Sequence, residues 1–177
     1  SQASIELAYF TESGEEESTP LILGVDVARY GTDESVIAAN RGGHVRIVSH
    51  WGKESTGETA RRVHRYAVDN GAKAVRIDSS GVGGGVYDML MSLEEFREGD
   101  YLLVGWDNGS AAPDNSQHSN KRAYSHDSLR VQMLAGSIDL DYNDQQLREE
   151  LQAITYKYTT RGAIQSTPKG EIKKGLS

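Results

Sequence analysis

Two short apolar stretches of this sequence each carry an aspartate near their end. The first is residues 21–27, LILGVDV, in which Asp26 interrupts a run of aliphatic side chains. The second is residues 74–78, AVRID, which ends on Asp78. Both runs predict β-strands, and the first is apolar enough to predict a strand buried on both faces. An ionised carboxylate in such a strand costs several kcal/mol unless a cation or strong donors compensate it.

The presence of two such strands in one chain changes how each aspartate is interpreted. A single Asp at a strand end is well explained as the cap of a neighbouring turn. Two strands that both end on a carboxylate predict instead the beginnings of a metal site, because hard divalent cations prefer carboxylate oxygens.

The hydrophobic pattern around the first strand predicts an antiparallel meander. A turn at residues 30–33 leads into a strand at 35–39, and an alternating strand follows at 44–51. An amphipathic helix is expected over 58–70, with N-cap candidates at residues 55–58, STGE, and Thr56 and Thr59 the best placed. The right-handed crossover rule then places the strand at 74–78 parallel to the first strand.

The rest of the chain alternates helical and extended patterns, and residues 1–20 are predicted to be a linker or a peripheral strand, with 5–10 weakly strand-like. The fold class predicted is α/β, with a mixed sheet of three antiparallel strands plus parallel strands, flanked by helices on both faces. The later elements expected are a helix over 86–93, a strand over 101–106, a loop over 107–120, a helix over 121–135, an extended piece over 137–140, a helix ending near 153, strands over 154–159 and 163–166, and a helix over 169–176.

Composition narrows the class of protein. A chain of 177 residues predicts one main domain, here residues 21–177, and the lack of cysteine excludes a disulfide framework and a thiolate zinc site. No apolar run approaches the roughly 20 residues of a membrane span. The net charge is −7, but residues 157–177 hold five Lys or Arg against one Glu. Such a basic end could bind a polyanion, or it could be a solvated charged tail.

A glycine-rich stretch follows the second aspartate. Residues 81–85, GVGGG, are expected to form the turn between a strand and a helix, where backbone N–H groups can contact phosphate. The Lys-Ser/Thr pair of a P-loop is missing, so the stretch is a weak nucleotide signature. Contact of Gly83 and Gly84 with a DNA backbone is one interpretation, and close packing of the helix on the sheet is the other.

The order of these segments resembles the ribonuclease H-like fold, and more narrowly the nuclease domain of a large terminase subunit, the DNA-packaging motor of tailed bacteriophages. The resemblance covers roughly residues 20–177, and the order and spacing of its motifs carry it rather than any single motif. Those motifs are GVDVA at 24–28, GTDES at 31–35, IDSSGVGGGV at 77–86, NKRA at 120–123, LAGSI at 134–138, LREEL at 147–151 and GAI at 162–164, followed by Lys169, Lys173 and Lys174.

The resemblance implies a metal-dependent endonuclease, a hydrolase that cuts concatemeric double-stranded DNA with two Mg²⁺ or Mn²⁺ ions. Asp26 is expected to bridge both ions and Asp78 to support one, while Asp33 is either a further ligand or a turn former. His118 and His126 are weaker candidates for a general acid or an outer ligand.

The third carboxylate of that family lies beyond a Lys-rich segment and is not expected within these 177 residues. Weak metal occupancy and depressed cleavage are therefore expected of this chain. Cleavage of plasmid DNA in Mn²⁺, compared with that of a version extended past Ser177, tests this, and equal rates would refute it.

The resemblance also implies partners. Double-stranded DNA would contact basic side chains through its phosphates, which predicts salt-sensitive binding with little sequence preference. Further partners implied are an ATPase domain N-terminal to this one, a small terminase subunit and the capsid portal, in the host-cell cytoplasm. The basic residues expected at phosphate are Lys121, Arg122, Lys169, Lys173 and Lys174.

Two other functions remain open from the sequence. A nucleotide-binding domain of the actin or sugar-kinase type shares an opening hairpin with an Asp, but needs a second phosphate hairpin and more than 300 residues in the family pattern. A non-catalytic DNA-clamping module would use Asp26 and Asp78 for hydrogen bonds alone. ATP binding would identify the first, and an unchanged metal response of Asp26→Asn would identify the second.

Overall fold

The computed structural model describes residues 1–12, 18–28, 33–96 and 99–167. The predicted turn at 30–33 lies mostly outside these ranges, and the predicted helix at 169–176 lies wholly outside them. The described elements, in chain order, are α1 (Gln2–Phe10), β1 (Leu21–Asp26), β2 (Ser35–Arg41), β3 (His44–Trp51), α2 (Thr56–Asp69), β4 (Ala74–Asp78), α3 (Val82–Ser92), a 3₁₀ turn (Glu94–Phe96), β5 (Leu102–Trp106), α4 (Lys121–Leu134), β6 (Asp139–Leu140), α5 (Gln145–Ala153), β7 (Tyr156–Tyr158) and β8 (Ile164–Ser166).

The chain divides into two compact units. Residues 14–107 form the first, called here the sheet unit, and residues 1–13 with 108–177 form the second, called the helical unit. The strands of the sheet unit lie in the order β5-β4-β1-β2-β3. Strands β1, β2 and β3 pair antiparallel, whereas β4 is parallel to both β1 and β5. The predicted meander, parallel crossover and mixed sheet are therefore confirmed.

Strand β1 is buried on one face, and the expectation of burial on both faces was wrong. Leu21, Leu23 and Val25 are buried, while the residues between them are exposed, Ile22 to 46%. Because side chains alternate along a strand, Asp26 falls on the exposed face. Asp26 is therefore exposed, and the free-energy cost of burying its charge, which the apolar sequence suggested, does not arise.

Helices α2 and α3 supply the rest of the core of the sheet unit. Val63 of α2, Val86 of α3 and Ile77 of β4 are completely buried in one apolar cluster. Helix α2 begins directly after Ser55, whose hydroxyl accepts from the N–H of Glu58 while the Glu58 carboxylate accepts from the N–H of Ser55. Ser55, one of the candidates at 55–58, is thus the N-cap, and the preference for Thr56 or Thr59 was wrong.

The helical unit begins with a helix where the sequence was interpreted as a linker or weak strand. Gln2–Phe10 is helical, with Ser1 as its N-cap. Its Ile5 and Ala8 are buried, and the Tyr9 hydroxyl donates to the backbone oxygen of Asp144 at 3.0 Å. Burial of the Tyr9 ring raises the pKa of its hydroxyl to about 12.

Two short strands complete the helical unit. Strands β7 and β8 pair antiparallel, as predicted, with Lys157 opposite Gln165. Within the described ranges, the helices are too short or too polar to cross a lipid bilayer.

Candidate functional site

Asp26 and Asp78 are the last residues of two neighbouring parallel strands. Val25 of β1 lies opposite Ile77 of β4, so the residue that follows each of them is brought to the same level of the sheet. Val25 and Ile77 face the core, and alternation therefore directs Asp26 and Asp78 to the other face. Adjacent strands are about 4.8 Å apart, which brings the two carboxylates within reach of one small ion.

Two like charges at this spacing repel each other. In water-like surroundings, two unit charges about 5 Å apart cost roughly 1 kcal/mol, and more where water is partly excluded. A divalent cation between the two carboxylates attracts both and outweighs their repulsion. Carboxylate oxygen is the ligand that Mg²⁺ and Mn²⁺ prefer. Mg²⁺ is commonly held by one or two carboxylates with water and phosphate, so this pair of donors fits such an ion.

Asp26 and Asp78 are a small set of ligands for a metal ion. Among those residues, no three His, Asp or Glu side chains gather closely enough to form a ready-made metal cage. Asp33 is described as an exposed residue ahead of β2, and its role as a ligand or a turn former stays a prediction. A site of this kind would depend on water and substrate phosphate for its remaining ligands.

Asp78 is held by the start of the loop that follows it. The N–H of Ser80 donates to Oδ1 of Asp78 at 3.0 Å, and the Ser80 hydroxyl donates to Oδ1 of Asp107, also at 3.0 Å. Asp107 directly follows β5, the strand on the other side of β4. Sequence reasoning assigned Asp107 to a polar loop, although its position one residue after an apolar strand was the signal that also marked Asp26 and Asp78.

The glycines after Asp78 lie inside a helix. Helix α3 begins at Val82 rather than near 86, so Gly83 and Gly84 belong to its first turn. A Cβ on Gly83 would lie 1.9 Å from the backbone oxygen of Asp78, and one on Gly84 would lie 3.0 Å from that of Ser79. Close packing of the helix on the end of β4 accounts for both glycines, and contact of Gly83 and Gly84 with DNA remains a prediction.

The two histidines considered from the sequence lie in the helical unit. Nε2 of His118 faces Oδ2 of Asp127 at 3.1 Å, and the His118 side chain is 9% exposed. Nδ1 of His126 lies 2.9 Å from the Ser166 hydroxyl. Each ring has a partner within its own unit, which favours a structural role.

The predicted DNA-binding residues are described in part. Lys121 and Arg122 are the first two residues of α4, whose N-cap Asn120 accepts from the N–H of Ala123 at 2.9 Å. Their side chains are partly exposed at the positive end of the helix dipole. Lys169, Lys173 and Lys174 lie outside the described residues.

Comparison with known proteins identifies the fold. The chain is similar to the nuclease domain of the large terminase subunit gp2 of bacterial virus Sf6, with a TM-score of 0.83 and 19% identity over 99% of this chain and 90% of that one. It is also similar to the large terminase nuclease of thermophilic phage G20c with bound magnesium, with a TM-score of 0.66 and 16% identity over 98% and 92% of the two chains. For the large terminase nuclease domain of Thermus phage P74-26, the TM-score is 0.62 at 15% identity, over 96% of this chain and 86% of that one.

One further structure bears on metal. A mutant of the Sf6 domain was solved with manganese and beta-thujaplicinol, and it has a TM-score of 0.83 and 18% identity to this chain. No family model matches the sequence, and no curated protein matches it. The likeness in structure nevertheless spans nearly the whole chain. The predicted fold, that of the nuclease domain of a phage large terminase subunit, is therefore confirmed.

Proposed function

We propose that this chain is the metal-dependent endonuclease domain of a phage large terminase subunit, which cuts concatemeric double-stranded DNA during packaging. The observation that carries the proposal is the placement of Asp26 and Asp78 at the ends of adjacent parallel strands, on one face of the sheet. The likeness to terminase nuclease domains, some with magnesium or manganese bound, supports the same function.

Asp26 and Asp78 would hold the divalent ions, with Asp26 shared between two of them. When bound, the ions would supply a water of lowered pKa and neutralise charge on the scissile phosphate. The chain itself supplies orientation. Asp26 directly follows Val25, which is buried in the core, and the N–H of Ser80 fixes one oxygen of Asp78. Rigid strands suit this task better than loops, because misplacing a ligand by even an ångström reduces activity.

The basic residues would bind DNA without reading its sequence. Lys121 and Arg122 open a helix, where the backbone dipole adds to the attraction for phosphate. Further phosphate contacts are proposed for Lys169, Lys173 and Lys174 and, separately, for the backbone at Gly83 and Gly84. Partners proposed for the full assembly are an ATPase domain, a small terminase subunit and the capsid portal, in the host cytoplasm.

Cleavage of supercoiled plasmid with Mg²⁺ or Mn²⁺ tests the proposal. Asp26→Asn and Asp78→Asn should each lower the rate by at least about 100-fold, since loss of a group that merely supports a metal ligand already costs 10–100-fold. Asp100→Asn is the matched control, because the Asp100 side chain is fully exposed and lies 3.8 Å from Lys73. Wild-type rates in Asp26→Asn and Asp78→Asn, cleavage that persists in EDTA, or binding of ATP in place of metal would refute the proposal.

A further inference from the structure

We infer that Ser80 and Asp107 are positioning residues that set the direction in which Asp78 presents its carboxylate. The inference rests on the proposed function, because it concerns how the chain prepares a ligand for a divalent ion. Ser80 connects Asp78 to Asp107, and Asp107 is itself fixed at the end of β5.

The backbone brings these three residues together. Asp78 lies opposite Trp106 in the parallel pairing of β4 with β5, and the N–H of Ser79 extends that pairing by donating to the oxygen of Trp106 at 3.2 Å. Ser80 follows Ser79, and Asp107 follows Trp106, so both come to the same edge of the sheet. Their proximity therefore follows from the register of β4 and β5.

Ser80 uses two donors in two directions. Its N–H reaches Oδ1 of Asp78 at 3.0 Å, and its hydroxyl reaches Oδ1 of Asp107 at 3.0 Å. A carboxylate that accepts from a residue two positions later has a restricted side-chain rotation. Because Asp107 accepts from the Ser80 hydroxyl, the orientation of Asp78 is linked through Ser80 to the end of β5.

The main chain of Asp78 is held by helix α3. Gly83 brings helix α3 so close that even a Cβ would collide with the Asp78 oxygen. The helix thus sets the backbone of the ligand, and the Ser80–Asp107 pair sets its side chain. Partners that orient a metal ligand in this way typically contribute 10–100-fold in metal affinity or activity.

The test measures Mn²⁺ binding to the DNA-free protein, by calorimetry or by the electron paramagnetic resonance of free Mn²⁺, alongside cleavage as a function of Mn²⁺ concentration. Ser80→Ala should raise the Mn²⁺ dissociation constant by about 10-fold or more. Cleavage at saturating Mn²⁺ should remain close to wild type, because the ligand is still present. Ser80→Thr keeps the hydroxyl and should restore binding.

Variants of Asp107 separate a positioning residue from a direct metal ligand. Asp107→Asn keeps an oxygen that can accept from Ser80 and should bind Mn²⁺ nearly as well as wild type, whereas Asp107→Ala should match Ser80→Ala. The double variant Ser80→Ala/Asp107→Ala should be no worse than either single variant, because both remove one linkage. Loss of binding in Asp107→Asn with normal binding in Ser80→Ala would overturn the inference.

The matched control is Ser116→Ala. Ser116 follows Asp114 with the same spacing and donates to it through both its N–H at 3.1 Å and its hydroxyl, but it lies in the helical unit. This control should leave Mn²⁺ binding unchanged. If Asp78→Asn loses Mn²⁺ binding and Ser80→Ala does not weaken it, the inference fails and the proposed function stands. If Asp78→Asn keeps both Mn²⁺ binding and cleavage, the proposed function fails.

Discussion

Carboxylates occur in two contrasting settings in this chain, the strand ends of the sheet unit and a cluster in the helical unit. In the cluster, Asp127 accepts from the His118 ring at 3.1 Å and from the Arg130 guanidinium at 2.9 Å. Its side chain is 20% exposed, and opposite charge and donors surround it. At the strand ends, Asp26 and Asp78 lie at the same level of neighbouring strands, so two carboxylates are close in space.

The contrast separates a stabilising carboxylate from the two that we propose as metal ligands. Burial raises the pKa of Asp127, but the hydrogen bonds from His118 and Arg130 more than offset this and leave its pKa below the usual value. Its charge therefore contributes to folding. Mutual repulsion between Asp26 and Asp78 is expected to oppose folding, which is the pattern expected where function opposes stability.

The largest effect is expected at Gly83, where the strand-end region has no spare space. Gly83→Ala places a Cβ 1.9 Å from the Asp78 oxygen, so the helix or the strand end must move. Overpacking of this kind costs about 3 kcal/mol. Urea unfolding should show a loss of that order, and Mn²⁺ binding should weaken with it.

Gly24→Ala is the control for this prediction. Gly24 lies on β1, two residues before Asp26, and a Cβ there would meet nothing within 4 Å. Its stability should be unchanged or raised by about 0.5 kcal/mol, since glycine is unfavourable within a strand. Equal stability of the Gly83→Ala variant and wild type would show that the strand end is not tightly packed.

The next effect concerns Asp127. Asp127→Asn should lower the free energy of unfolding at pH 7 by about 2 kcal/mol, because a hydrogen bond to a charged group is worth about that much. The exposed pair of Arg61 and Glu95, 3.5 Å apart, provides the control, and Glu95→Gln should change stability by less than about 0.5 kcal/mol.

The stability that Asp127 contributes should also depend on pH. Since the pKa of Asp127 is lowered in the folded protein, the stability it contributes is present above the unfolded value of about 4 and is lost as the pH falls through the folded value. The difference in stability between wild type and Asp127→Asn should therefore shrink below about pH 4. A difference that stays constant down to pH 2 would argue against an ionic role for Asp127.

Much of the sheet unit could be predicted from the sequence, because short stretches of the chain determine its strands and turns. The apolar runs at 21–27 and 74–78 and the order of elements sufficed for the mixed sheet and for Asp26 and Asp78 at neighbouring strand ends. The Ser55–Glu58 capping box was also visible as Ser-Thr-Gly-Glu, and choosing a threonine overlooked that signature.

The errors came where packing decides the outcome. Residues 2–10 have a weak periodicity, and burial of Ile5 and Ala8 within the helical unit selects the helix. One-sided burial of β1 depends on what covers each face of the sheet, which its apolar sequence could not tell. The role of Ser80 depends on the β4–β5 register, which sets Ser80 beside a residue 27 positions away.

The smallest effect expected is a gain in stability at the strand ends. In EDTA, Asp26→Asn removes one of two adjacent negative charges and should raise the free energy of unfolding by up to about 1 kcal/mol. Asp100→Asn, which changes the same charge at a fully exposed position, should have an effect below about 0.5 kcal/mol. Saturating Mn²⁺ should then stabilise wild type and leave Asp26→Asn almost unchanged, so the order of the two stabilities reverses. A loss of stability in EDTA like that of Asp127→Asn would mean that Asp26 is held as a structural carboxylate, and the contrast between the two regions would disappear.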